Sequence, residues 1–234
     1  MWKRNRISLI FPSYNEEENI VEAIKDFSLP EIDEIIVVDN NSTDKTEEKV
    51  LNTSAKLIAE KQQGYGFAIR KGLKKATGYY LIICEPDGTF VGKDVYKLLA
   101  YADDYDFVVG TRTNKQMIGE YANMNNFMRW GNMGVGKLLS FLFKGSPLTD
   151  VGCTFRLINR TALNKIQKSF KCGGPEFSPE MIILVFREGI RTIEIPIHYR
   201  ARIGTSKITG KRWKAIKLGM SMIGLILRMR FSLR

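Results

Sequence analysis

The sequence predicts an α/β fold: a Rossmann-like, mostly parallel central sheet flanked by helices, followed by amphipathic helices toward the C-terminus. Three observations lead there. Short β-branched runs alternate with helical patterns through the first hundred residues, which implies parallel strands joined by crossover helices. The 234 residues, 44% of them hydrophobic, suffice for a large core. The loops that follow the apolar runs are polar and acidic, and sheets of this kind bind ligands beyond the carboxyl ends of their strands.

In chain order, ISLIF (7–11) reads as the first strand and EEENIVEAIKDF (16–27) as a helix. IDEIIVVD (32–39) is the second strand, and STDKTEEKVLN (42–52) opens a helix with an N-cap at Ser42 or Thr43. AKLIAE (55–60) is a third strand, GYGFAIRKGLKKA (64–76) a helix and YYLIIC (79–84) a fourth strand. Three carboxylate-bearing loops, PSYNEEEN, DNNSTDKT and EPDGTF, should therefore converge along one edge of the sheet. Further on, residues 124–143 read as amphipathic interface helices with exposed aromatics.

Charge separates the ends of the chain. Ten of the 36 lysines and arginines, and none of the 25 acidic residues, fall in 195–234, leaving 26 basic and 25 acidic residues in the first 194. A basic segment suits nucleic acid, an anionic membrane or a phosphorylated substrate. Between 213 and 230, Lys214, Lys217, Ser221 and Arg228 share a narrow helical face and apolar residues cover the remainder. That pattern favours lipid headgroups over a nucleic-acid groove, the alternative being a helix packed against protein. The division expected is a catalytic domain over 1–210 and a basic, membrane-associating helix over 211–234. The uncharged stretch 218–227 is half the length that a membrane span needs, and MWKRNRISLIF does not read as a signal peptide. Cys84, Cys153 and Cys172 lack metal-type spacing and read as reduced, buried thiols in a cytosolic setting. The single histidine, His198, reads as a packed or surface residue.

The loop CEPDGTF (84–90) poses the functional question. Pro-Asp-Gly is good turn chemistry, but two hard oxygen ligands at the end of a strand also suit Mg²⁺ held on a polyphosphate. The set of loops favours the second reading: in this order they resemble the nucleotide-sugar-binding domain of family 2 glycosyltransferases with the GT-A fold. The resemblance implies that Pro12, Tyr14, Asn15 and Glu16 border the base and ribose. It makes Asp39 the aspartate that receives the base, and Asp44 the second acidic position of that motif. Gly64, Gly66 and Ala68 match the small residues past which the sugar nucleotide runs. Asp87 stands at the third position of the Asp-x-Asp motif as the direct ligand of Mg²⁺ or Mn²⁺. Glu85 replaces the first aspartate, and it either assists the metal through water, binds ribose or serves the turn.

VVGTR (108–112), MRWGN (128–132), LTDVGCTFRLINR (148–160) and IPIHYRARIGTSKI (195–208) resemble the polyprenyl-phosphate branch, typified by dolichol-phosphate mannose synthase. This implies an inverting transfer from a UDP- or GDP-sugar to a polyprenyl or dolichyl phosphate at the cytoplasmic face of a cell or endoplasmic-reticulum-type membrane. Such an acceptor is already anionic and needs cationic clamps more than a general base. Arg112, Arg129 and Arg202 are the expected clamps on acceptor phosphate, and Ser206 and Lys207 lie in a loop that closes over the donor diphosphate. Arg156 is either part of that set or a structural partner of Asp150. Asp150 is the acceptor-orienting carboxylate if the acceptor is instead a sugar or protein hydroxyl. Binding of nucleic acid through the basic tail would leave the three acidic loops unexplained.

Overall fold

The computed structural model describes residues 1–120, 122, 124–202 and 212–231. Its centre is a seven-stranded sheet in the order β3-β2-β1-β4-β6-β5-β7. The strands are β1 (Ile7–Ser13), β2 (Glu34–Asp39), β3 (Lys56–Ala59), β4 (Tyr80–Ile83), β5 (Phe107–Thr111), β6 (Arg156–Asn159) and β7 (Thr192–Pro196). β1 is buried along its whole length, as expected of a parallel strand covered on both faces. Its side chains divide with the two-residue period: Ile7, Leu9 and Phe11 enter one core with Phe27, Val37 and Leu98, while Ile10 enters the other with Ile36, Leu73 and Met181.

Helices α1 (Ile20–Phe27), α2 (Thr46–Leu51), α3 (Tyr65–Lys75) and α4 (Val95–Tyr101) are the crossovers of the first half. The sequence placed the start of α2 too early. Ser42 Oγ accepts from the Asn15 backbone N–H at 2.9 Å, and Thr43 Oγ1 accepts from Asn15 Nδ2 at 3.3 Å. Both hydroxyls thus tie two loops together, and the helix opens only at Thr46, where Asp44 Oδ1 accepts the backbone N–H at 2.9 Å. Asn15 and Asn41 take positive φ, 52° and 65°, in these loops, a conformation that asparagine tolerates better than most residues.

β6 is antiparallel to both neighbours, pairing Ile83 with Arg156 on one side and Val109 with Arg156 on the other. This reversal matters for function. A parallel β6 would begin at the far edge; the antiparallel one brings the loop before it, 148–155, to the edge where β1, β2, β4, β5 and β7 end. α6 (Arg160–Ile166) and α7 (Phe177–Arg187) follow it.

α5 (Asn126–Phe143) and α8 (Arg212–Phe231) lie over this edge. α5 is capped by Asn125, whose side chain accepts from the Met128 N–H at 3.0 Å. α8 packs on α5 and α7: Ile226 is fully buried and Ser221 Oγ donates to Glu176 Oε1 at 2.6 Å. Along its outer side Trp213, Ile216, Met220, Leu227 and Phe231 are exposed at spacings of three, four or seven, and α5 exposes Phe127, Trp130 and Phe141. Among the described residues no helix is long and apolar enough to cross a membrane. All three cysteines are free, and burial pushes the Cys153 thiol up to about 12.

Candidate active site

The strand ends surround one cavity of about 660 Å³. Pro12 reaches it from the end of β1, Tyr14 and Glu16 from the loop that follows, Gly64 and Ala68 from the start of α3, and Glu85 and Asp87 from the loop after β4. Arg112 follows β5, and Tyr199 and Arg202 come from the strap after β7. The other half of its wall is apolar and belongs to α5 and α8, including Met128, Val135, Met220 and Ile223.

Asp87 is 3% exposed and fixed by its own turn. Thr89 donates to Oδ1 through its backbone N–H at 3.1 Å and its hydroxyl at 2.5 Å. This leaves Oδ2 directed at Arg202, whose Nη1 donates to it at 2.9 Å. Arg202 Nη2 donates to Glu16 Oε1 at 2.5 Å, so one guanidinium bridges two buried carboxylates. Among the described residues no group of three or more His, Cys, Asp or Glu forms a metal cage. The donor set fits Mg²⁺ or Mn²⁺ of the kind held by one or two carboxylates and completed by substrate phosphate oxygens, and the arginine between Asp87 and Glu16 marks the place where the protein already binds a cation.

Glu85 has no comparable partner among the described residues. Burial, and then the neighbouring charge of Asp87, push its carboxyl up to about 7, against the pull of Arg112 and Arg202.

On the other side, Arg112 donates from Nε to Asp150 Oδ2 at 2.8 Å and from Nη2 to Oδ1 at 2.9 Å, a bidentate pair around a fully buried carboxylate. Burial alone would lower the Arg112 pKa, but Asp150 raises it well above its ordinary value. Asn132 of α5 donates to Asp150 Oδ1 at 3.2 Å, and Glu194 of β7 accepts the Thr149 and Asp150 backbone N–H groups at 2.8 and 2.9 Å. Arg112 also lies over the Tyr199 ring, 5.2 Å from its centroid. Asp150 is therefore a positioning residue for Arg112, not a free base.

Several expected site residues sit elsewhere. Arg156 is 2% exposed and donates to the carbonyls of Cys153, Ser178 and Val151 at 2.7, 2.9 and 2.7 Å; as the first residue of β6 it points inward, and it bonds the backbone rather than Asp150 or a ligand. Arg129 does not line the cavity, because its place on α5 directs it over the Trp130 ring, 5.9 Å from the centroid. Asp44 accepts from Thr46 and Glu17 and holds the loops without reaching the cavity. Gly66 is also away from the cavity: a Cβ there would lie 2.7 Å from the Cys172 carbonyl oxygen and 2.8 Å from Phe177 Cβ, so its smallness serves packing. Gly64 does line the cavity. Ser206 and Lys207 lie outside the described residues. His198 donates its backbone N–H to Asp94 and packs its ring on the same buried carboxylate, away from the main cavity.

Asp39 closes β2 and accepts the Ser42 N–H at Oδ2, 3.1 Å. Its Oδ1 is buried and has no partner among the described residues. Sequence reasoning missed Asn132, Thr89, Glu194 and Tyr199. Asn132 and Tyr199 lie within the motifs MRWGN and IPIHYRARIGTSKI, and Thr89 two residues after Asp87 is a turn signal that could have found it; nothing local marks Glu194, which meets its partners only through the strand order.

Residues 8–167 match the model of glycosyl transferase family 2. The chain belongs to this family. Among relatives of this glycosyltransferase, the dolichyl-phosphate hexose transferase of Haloferax volcanii is 28% identical over 205 residues, covering 86% of each chain. The UDP-N-acetylglucosamine--dolichyl-phosphate N-acetylglucosaminyltransferase of Methanococcus voltae is 29% identical, over 87% of this chain and 91% of its own. The fold is GT-A. Glucosyl-3-phosphoglycerate synthase of Mycobacterium tuberculosis, in a crystal structure with Mn²⁺, UDP and glucosyl-3-phosphoglycerate, superposes with a TM-score of 0.75 at 17% identity, over 99% of this chain and 81% of that one.

Two variants test the electrostatics. Asp150→Asn leaves the Arg112 guanidinium without its counter-charge and should cost about 3 kcal/mol, measured as a lower denaturant midpoint. Glu85 has a folded-state pKa raised from 4.5 to about 7, so its contribution to stability is whole below pH 4.5 and is lost as pH rises through 7. Glu85→Gln in metal-free protein should match wild type at pH 4.5 and exceed it at pH 8, by on the order of 1–2 kcal/mol in thermal unfolding.

Proposed function

We propose that this glycosyltransferase moves a hexosyl residue from a UDP- or GDP-sugar to a polyprenyl or dolichyl phosphate, with inversion, at the cytoplasmic surface of a membrane. The observation that carries the reading is the two-ended cavity. Charged groups from Glu16, Asp87, Arg112 and Arg202 line one end, and the other end continues as an apolar channel between α5 and α8. A substrate that fits both ends has an anionic head and a hydrocarbon tail. The named activities of the Haloferax and Methanococcus relatives support the same class of acceptor.

In this reading Asp39, next to the cavity-lining Asn40, accepts a ring N–H of the base at Oδ1, which has no partner among the described residues, and Gly64 lets the donor pass the start of α3. Asp87 holds Mg²⁺ or Mn²⁺; when bound, the ion supplies Lewis-acid stabilisation of the charge that builds on the leaving diphosphate. Arg112, held in place by Asp150, receives the acceptor phosphate. An acceptor phosphate oxygen attacks the anomeric carbon on the face opposite the donor diphosphate. The new C–O bond forms as the old one breaks, its electron pair leaves with the diphosphate, and no proton has to move. Positioning then does most of the catalytic work. A hydroxyl acceptor would require a general base, and Asp150 is already engaged by Arg112 and Asn132.

The exposed stripe of α8 and the aromatics of α5 supply the membrane contact. Ile216, Met220 and Phe127 both line the cavity and face solvent, so the face that would enter the interface is also the mouth of the channel. A polyprenyl chain could enter from the bilayer without crossing water.

Radiolabelled UDP- and GDP-sugars offered with dolichyl or undecaprenyl phosphate and Mg²⁺ or Mn²⁺ should deliver label to the organic phase; label that stays in water while the donor binds would remove the lipid acceptor. Gly219 lines the channel, and nothing lies within 4 Å of where its Cβ would be. Gly219→Trp should fill that space and lower transfer to a long-chain acceptor by on the order of tenfold or more, with donor affinity, followed by calorimetry, unchanged.

A further inference from the structure

Arg202 stands between Glu16 and Asp87, two buried carboxylates that an unpaired charge would destabilise strongly. Its tether is short. Two residues earlier, the Arg200 N–H donates to the Thr89 carbonyl at 2.8 Å, and Thr89 is the residue whose hydroxyl fixes Asp87. The strap that carries the guanidinium is therefore pinned to the same turn as the carboxylate it neutralises. The arrangement leaves one donor unsatisfied: Arg202 Nε is buried with no hydrogen-bond partner among the described residues. An arginine has five donors suited to a tetrahedral oxyanion, so this posture meets the carboxylates' needs better than its own.

We propose that Arg202 is a resident cation that guards the donor site and exchanges partners in the course of binding. With neither substrate bound, it neutralises Asp87 and Glu16 and competes with any free divalent cation for Asp87. When the donor and its metal arrive together, Asp87 no longer needs the guanidinium, and Arg202 turns to the acceptor phosphate in the same cavity that Arg112 lines. The exchange makes binding ordered. An acceptor that arrives first finds Arg202 engaged and meets Arg112 alone; one that arrives after the donor meets both arginines. The competition favours a metal-diphosphate over a bare ion, because a tethered guanidinium acts at high effective concentration and is displaced only by a ligand with contacts elsewhere in the cavity. This inference rests on the proposed reading that Asp87 holds the donor's metal.

Mn²⁺ titrations followed by electron paramagnetic resonance test it without turnover, on wild type, Arg202→Gln and Asp87→Asn, each alone and with UDP or GDP. Without nucleotide, Arg202→Gln should bind Mn²⁺ more tightly than wild type by on the order of tenfold, the gap should narrow with nucleotide, and Asp87→Asn should bind poorly in both cases. Arg202→Lys keeps the charge but cannot fork between two carboxylates, and it should fall between wild type and glutamine; it carries the comparison should Arg202→Gln fail to fold. Equal Mn²⁺ affinity for wild type and the Arg202 variants, with binding still lost in Asp87→Asn, would overturn the guard and leave the metal site standing. Absence of Mn²⁺ binding to every form, with nucleotide present, would overturn the metal reading and the guard together.

Discussion

Buried carboxylates have to be neutralised, and the carboxyl edge of this sheet gathers Glu16, Glu85, Asp87 and Asp150 around one cavity. The fold meets the demand in three ways. Arg112 takes Asp150 in a bidentate pair, and Arg202 divides itself between Glu16 and Asp87. Glu85, without such a partner among the described residues, has its carboxyl pushed toward the neutral form. The two arginines come from the ends of β5 and β7, on the far side of the reversed strand β6 from the acidic loops after β1 and β4. The antiparallel insertion thus sets the acidic half of the site against a basic half, and the paired charges hold the two together across the sheet.

The parts of this arrangement that were legible in the sequence are those that depend on local pattern. Parallel strands buried on both faces read as continuous apolar runs, and Pro-Asp-Gly after one of them marks a turn whose carboxylate could face a ligand. What failed depends on three-dimensional partners. Ser42 and Thr43 have the chemistry of helix caps, but Asn15 lies 27 and 28 residues away in sequence and claims them. Arg129 and Arg156 are arginines in motifs like that of Arg112, yet one is turned away from the cavity by the phase of α5 and the other inward by the start of β6. Gly66 matches a motif for passing a ligand, and it is the loop at Cys172 and Gly173 that occupies the space a side chain would need. A motif names the residue type; strand direction and helix phase decide where its side chain goes.

α8 illustrates the same point from composition. Its apolar residues cover all but a narrow basic face, so the sequence does not say which of them meet protein. Contact with α5 and α7 buries Ile226 and engages Ser221, and this assigns the remaining apolar positions to two duties, channel wall and exposed stripe. Small residues make the channel wide enough: Gly131 and Gly219 line it, and among the described residues nothing beyond their own helix turns lies within 4 Å of the Cβ position at either.

On the proposed reading, the two ends of the cavity impose different demands on one substrate. The apolar end gains affinity from every buried methylene but cannot orient a reacting oxygen. The charged end orients it, first of all through Arg112, whose position is fixed by a carboxylate that never leaves the protein. Removing Asp150 would leave Arg112 charged but free to wander, and such a site would bind a lipid phosphate without aligning it. The same logic separates a phosphate acceptor from a hydroxyl. A hydroxyl needs a base that can take a proton, whereas a phosphate needs a cation held in place, and the fully buried Asp150 carboxylate is used to hold Arg112 still.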